Sequence, residues 1–186
     1  MTVNAKPITV TADAGQTKVY GETDPAFTYT NTPLIGSDAF TGALSRTAGT
    51  DVGSYAITQG SLTAGSNYAI TFNSADFAIT AKPITVTADA KTKVYGDTDP
   101  ALTYQITSGS LVGSDSFSGA LSRAAGENKG TYAITQGSLA LSDNYTLAYV
   151  GANLTINAKA LTVTANDASK TYGETSTLSA FTTDGL

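Results

Sequence analysis

"AKPITVTADAKTKVYGDTDPALTY", residues 81–104, carries the reading of the fold. It opens in strict alternation. Ile84, Val86 and Ala88 fall on one face and Thr85 and Thr87 on the other, which is the period of a half-buried strand. Turn chemistry follows. Gly96 allows positive φ or a bulge after Tyr95. Asp99 and Pro100 suit the first two positions of a turn, where an Asp carboxylate bonds nearby N–H groups and Pro presets φ. Tyr95, Leu102 and Tyr104 flank this joint as apolar anchors.

Most of the stretch occurs again. "AKPITVTADA" is also residues 5–14, and "KVYGETDPAFTY" at 18–29 matches "KVYGDTDPALTY" at 93–104. "GALSR" occurs at 42–46 and 119–123, and "YAITQGSL" at 55–62 and 132–139. A third start appears in "AKALTVTAND" from residue 158 and "KTYGETS" at 170–176. A fixed period of this length marks a tandem array of supersecondary units. The domain reading is therefore a remnant of a preceding repeat at 1–5, a first copy at 6–81, a second at 82–158 and a truncated third at 159–186. Both ends then read as cut within a longer array.

In the second copy the pattern predicts seven short strands: "ITVTA" (84–88), "TKVYG" (92–96), "LTYQIT" (102–107), "FSGALSR" (117–123), "GTYAITQG" (130–137), "NYTLAYV" (144–150) and "NLTINA" (153–158). "LVGSD" (111–115) reads as a turn or as one helical turn capped by Ser114 or Asp115. The fold class is mainly β, in small tandem modules with at most one short helical turn each. β-grasp-like and immunoglobulin-like sandwich topologies both fit. A module of this size has a marginal core, so stacking on neighbours is expected. Very short linkers stiffened by Pro7 and Pro83 predict a rod with restricted hinges.

Composition limits function. Thr occurs 32 times, and charged residues make up 13% against about 25% in ordinary domains. Net charge is −5 with no basic cluster, which disfavours nucleic acid and anionic membranes as partners. No apolar run approaches the length of a membrane span. Without His or Cys, Ser-His and Cys-His nucleophile systems and thiolate metal sites are impossible. The acids Asp97 and Asp99 lie too close in sequence to face each other across a glycosidase cleft. No catalytic or cofactor-binding residue is assigned.

Asp97, Asp99 and Asp115 are candidate Ca²⁺ ligands, since that ion wants six to eight oxygens. The competing reading makes them turn caps. The recurring turn signature is Tyr20, Gly21, Asp24 and Pro25, then Tyr95, Gly96, Asp99 and Pro100, then Tyr172 and Gly173. The third copy lacks the Asp-Pro pair. Tyr20, Tyr29, Tyr55 and Tyr68 recur as Tyr95, Tyr104, Tyr132 and Tyr145; they are expected in the core with hydroxyls at the rim.

Five segments in order, "VYGDTDPALTY", "GSDSFSGALSR", "GTYAITQGSL", "NYTLAYV" and "LTI", resemble the MBG repeats of the YGX type. The resemblance covers both complete copies and the start of the third. It implies a tandem module of large bacterial surface proteins such as haemagglutinin-like adhesins, located outside the cell. It also implies a small β-rich fold related to the β-grasp repeats of mucus-binding proteins, with no catalytic residue. The expected role is a stalk segment that projects a binding region; the alternative is a repeat that itself binds glycans or host or microbial surface proteins. Expected partners are neighbouring repeats, other copies of the chain, or such surface ligands.

Overall fold

A computed structural model describes residues 2–175 and 181–184 of the chain. Among the described residues all regular structure is strand, and no helix is long and apolar enough to cross a membrane. The first copy contributes β1 (Lys6–Ala12), β2 (Gln16–Val19), β3 (Tyr29–Asn31), β4 (Ser45–Arg46), β5 (Gly53–Thr58), β6 (Tyr68–Asn73) and β7 (Asp76–Thr80). The second contributes β8 (Lys82–Ala88), β9 (Lys91–Val94), β10 (Tyr104–Ser108), β11 (Ser122–Arg123), β12 (Gly130–Thr135), β13 (Tyr145–Val150) and β14 (Ala152–Asn157). β15 (Thr162–Ala165) and β16 (Phe181–Asp184) form an antiparallel pair whose residues are all exposed.

The chain divides into two compact units. The first comprises Met1–Val86, Ile106–Ser118 and Ala140–Ala148; the second comprises Thr87–Gln105, Gly119–Leu139 and Tyr149–Leu186. Neither coincides with a sequence repeat, because the first unit takes in three segments of the second copy, residues 82–86, 106–118 and 140–148.

In the first unit, one sheet has the order β3-β1-β6 and another β2-β7-β5-β4. β1 runs parallel to β6 and antiparallel to β3. β2 is parallel to β7, and β5 antiparallel to it. Alternation decides which side chains meet. Val10 and Ala12 from one sheet pack with Ile57, Phe77 and Ile79 from the other, and Val10, Ile57 and Phe77 are completely buried. Phe27 meets Phe77 edge to face, with centroids 5.1 Å apart. The core of this copy lies between two sheets with two parallel pairings. That is a sandwich arrangement, not the helix-on-sheet core of a β-grasp.

The second copy repeats the strand orders as β10-β8-β13 and β11-β12-β14-β9. In the second unit, Ala88, Ile134 and Leu154 form a core flanked by Leu102, Leu121 and Tyr149. Six of the seven predicted strands appear over most of their length. "FSGALSR" does not: only Ser122–Arg123 pairs with β12, and Ser118 makes one isolated bridge to Ala140. Gly119 between them has φ 72°, outside the extended range that a strand requires. "LVGSD" is a turn rather than a helical turn, closed by Asp115 N donating to Val112 O at 3.0 Å.

The tyrosines follow the expectation in part. Tyr68 and Tyr145 are buried, while Tyr20, Tyr29, Tyr55, Tyr104 and Tyr132 are half-buried and Tyr95 is 49% exposed. The aliphatic and Phe side chains of the sheets fill the first core, and Tyr20, Tyr29 and Tyr55 pack at its edge.

Candidate functional site

β7 ends at Thr80 and β8 begins at Lys82, so Ala81 alone separates the last strand of one copy from the first of the next. Within the first unit, side chains of both copies converge beside this residue. The donor half comes from the first copy. Tyr20 N donates to Thr80 O at 2.9 Å, and Glu22 N donates to Val19 O at 3.1 Å, closing a turn with Tyr20 and Gly21 at its centre. Gly21 has φ 83°, which an L side chain resists. Its bare Cα also lies against Val112 of the second copy; a Cβ there would run into the Val112 side chain.

The acceptor half comes from the second copy. The Tyr145 hydroxyl accepts from Val112 N at 2.8 Å and donates to Asp115 Oδ2 at 2.5 Å. The same carboxylate oxygen accepts from the Tyr20 hydroxyl at 3.1 Å. The rings of Tyr20 and Tyr145 meet edge to face at 5.5 Å. Burial and the adjoining Asp115 carboxylate push both phenols above their ordinary range.

Asn144 closes the joint. Its Oδ1 accepts from Val52 N and its Nδ2 donates to Asp51 Oδ1, each at 2.8 Å. The Tyr55 hydroxyl fixes the opposing loop by donating to Asp51 O at 2.7 Å. Asn144 O accepts from Lys82 N, tying the second copy's entering strand to the same residue.

The "DP" acids have a different task. Asp24 bridges Lys18 and Arg46, each at 2.7 Å. In the second unit Asp99 likewise takes Lys93 at 2.7 Å and Arg123 at 2.5 Å, and Glu127 pairs with both cations, with Lys93 at 2.6 Å. Arg123 and then Lys93 hold the Asp99 carboxyl down at about 2, and Asp99 and then Glu127 push both cations above their ordinary range. Arg46 and Arg123 also stack over Tyr55 and Tyr132.

The hydrogen-bonded turn in "VYGD" is Val94–Asp97, with Gly96 at φ 89°, so the turn precedes Asp99-Pro100 rather than being built on it. Asp99 bonds cations, not the nearby N–H groups expected of a turn cap. Asp97 contributes its backbone, with N to Val94 O and O accepting from Lys93 Nζ at 3.1 Å. Asp115 belongs to the joint. Among the described residues no group of three or more acids, His or Cys could hold a metal ion, and the structure does not gather Asp97, Asp99 and Asp115 into one. Pro25 lines an open cleft with Asp24 and Arg46. Tyr172 and Gly173 form the third Tyr-Gly turn, with Gly173 at φ 88° and Tyr172 fully exposed.

Sequence reasoning missed Asn144, Asp51 and the pairing of Tyr20 with Asp115. The available signal was that "YG", "GSD" and "NY" recur in that order in both complete copies.

Among curated proteins, none matches this sequence. The MBG domain (YGX type) family matches it at residues 8–78 and 84–155, one match for each complete copy. The chain therefore belongs to the MBG domain (YGX type) family and holds two of its repeats in tandem.

Proposed function

We propose that this chain is a non-catalytic spacer of a bacterial extracellular adhesin, a stalk segment that projects a binding region away from the cell surface. One observation carries the reading: successive copies are joined by one residue, Ala81, and braced by Tyr20, Asp115, Tyr145, Asp51 and Asn144. A linker this short, clamped by side chains, removes hinge freedom that a flexible linker would keep. Membership of a family typical of extracellular surface proteins supports the location.

The test is reach. Two, four or six copies are placed between a cell-surface anchor and a reporter ligand-binding domain, and the height of the reporter is measured. Height growing in proportion to copy number supports the spacer. Unchanged height overturns it, and repeats that capture glycans or host proteins without the reporter would establish the binding alternative.

A further inference from the structure

We propose that Ile35, Asp38, Asn67 and Tyr68 form a second acceptor half of the joint, which receives the Tyr-Gly turn of another repeat of this type joined ahead of it through Ala5. The proposal rests on the joint as a repeat-to-repeat interface and not on the stalk role.

The acceptor geometry is already built. Ile35 N donates to the Tyr68 hydroxyl at 2.9 Å, as Val112 N does to Tyr145 at 2.8 Å. The Tyr68 hydroxyl donates to Asp38 Oδ2 at 2.6 Å, as Tyr145 does to Asp115 at 2.5 Å. Asp38 N closes the turn on Ile35 O at 3.1 Å, as Asp115 N does on Val112 O at 3.0 Å. Lys6 N donates to Asn67 O at 2.8 Å, as Lys82 N does to Asn144 O at 2.9 Å. The four residues lie 77 positions before their counterparts. A preformed site loses little order on binding.

What differs is the cover. Val112 is half-buried beside Gly21, whereas Ile35 is 60% exposed. Asn144 is half-buried against the Asp51–Val52 loop, whereas Asn67 is exposed. Ile35, Asp38, Asn67 and Tyr68 line an open cleft of roughly 400 Å³ with Val3 and Lys6, where the observed joint has a neighbouring copy.

The chain path selects the occupant. In the observed joint the Tyr-Gly turn bonds Thr80, and two residues later Lys82 bonds the acceptor's Asn144. The donor repeat thus runs straight into the acceptor's first strand. A free second chain would carry its own continuation, Ala158 and Lys159, into the space that Ala5 and Lys6 fill. A covalently preceding repeat has no such conflict.

The experiment extends the full chain by a duplicate of residues 6–81 placed directly before Lys6. Asn67→Ala is compared in the extended and original chains by urea unfolding, with Asn144→Ala as the reference in both. Expected is a change in the unfolding constant below threefold for Asn67→Ala in the original chain. In the extended chain it rises to match Asn144→Ala, at about 5- to 30-fold. The Asn67 side-chain amide signals also shift on extension. An Asn67→Ala effect that stays small in the extended chain while Asn144→Ala remains costly overturns the proposal. So does concentration-dependent association of the original chain that Asn67→Ala abolishes, since the occupant is then a second chain. If Asn144→Ala is itself silent, the joint has no energetic content and the proposal falls, whatever the reach assay shows.

Discussion

Asn144→Ala isolates the joint, because the chain contains its own control. Asn144 and Asn67 occupy equivalent positions and accept the same backbone bond, from Lys82 and Lys6 respectively. Only Asn144 also uses its side chain, accepting from Val52 N and donating to Asp51 Oδ1 at 2.8 Å each. A net hydrogen bond contributes about 0.5–1.5 kcal/mol, so two give at most about 3. Water can replace part of this, since Asp51 is exposed and Val52 is 37% exposed. The expected loss is therefore about 1–2 kcal/mol for Asn144→Ala. For Asn67→Ala it is within about 0.5 kcal/mol, as for an ordinary surface change. Urea unfolding followed by circular dichroism and by assigned amide signals in each copy reads both. The repeats are fitted as coupled units with an interface term. A double-mutant cycle with Asp51→Ala is expected to show about 0.5–1 kcal/mol of coupling, the share of one of the two bonds. Equal effects of Asn144→Ala and Asn67→Ala, or additivity within about 0.3 kcal/mol, would show that the Asn144 side chain does not brace the joint.

Three further outcomes follow from other parts of the molecule. Phe77 is completely buried between the sheets of the first copy, so Phe77→Ala is expected to cost about 3–5 kcal/mol and to lower the urea midpoint of that copy; a loss below about 1 would contradict the core described. Asp99 has a folded pKa of about 2, below its unfolded value, so its contribution is complete above about pH 4 and disappears as pH falls through 2. The thermal midpoint should fall over that window less steeply in Asp99→Asn than in the original chain, and parallel profiles would remove the ion cluster from the acid response. Every residue of β15 and β16 is exposed and, among the described residues, the two pair only with each other, so limited proteolysis is expected to cut beyond residue 158 first, with earlier cutting inside β1–β14 as the contrary result.

The strands were legible because their cause is local. Alternation in "ITVTA" places Ile84 and Val86 inside and leaves Thr85 and Thr87 partly outside, with no distant partner needed. The Tyr-Gly turn was legible for the same reason, since Gly96 alone supplies the positive φ. Asp99 was not. Its carboxylate depends on Arg123, 24 residues away, and nothing local separates an acid that caps a turn from one that binds two cations. Tyr20 and Asp115 were harder still. They lie 95 residues apart in different copies, and a reading confined to one module has no place for a contact that exists only between modules. Sandwich and grasp could not be separated because both need the same short alternating strands. The pairings that distinguish them, β1 with β6 and β2 with β7, are set by the crossovers between sheets.

The joint fixes the acceptor segments of the second copy to the first. Residual dipolar couplings of the full chain in a weakly aligning medium test it directly. Couplings from β1–β7 and from residues 106–118 and 140–148 are expected to fit one alignment tensor, and Asn144→Ala combined with Tyr20→Ala is expected to split them into two. Two independent tensors in the unmodified chain would contradict the account.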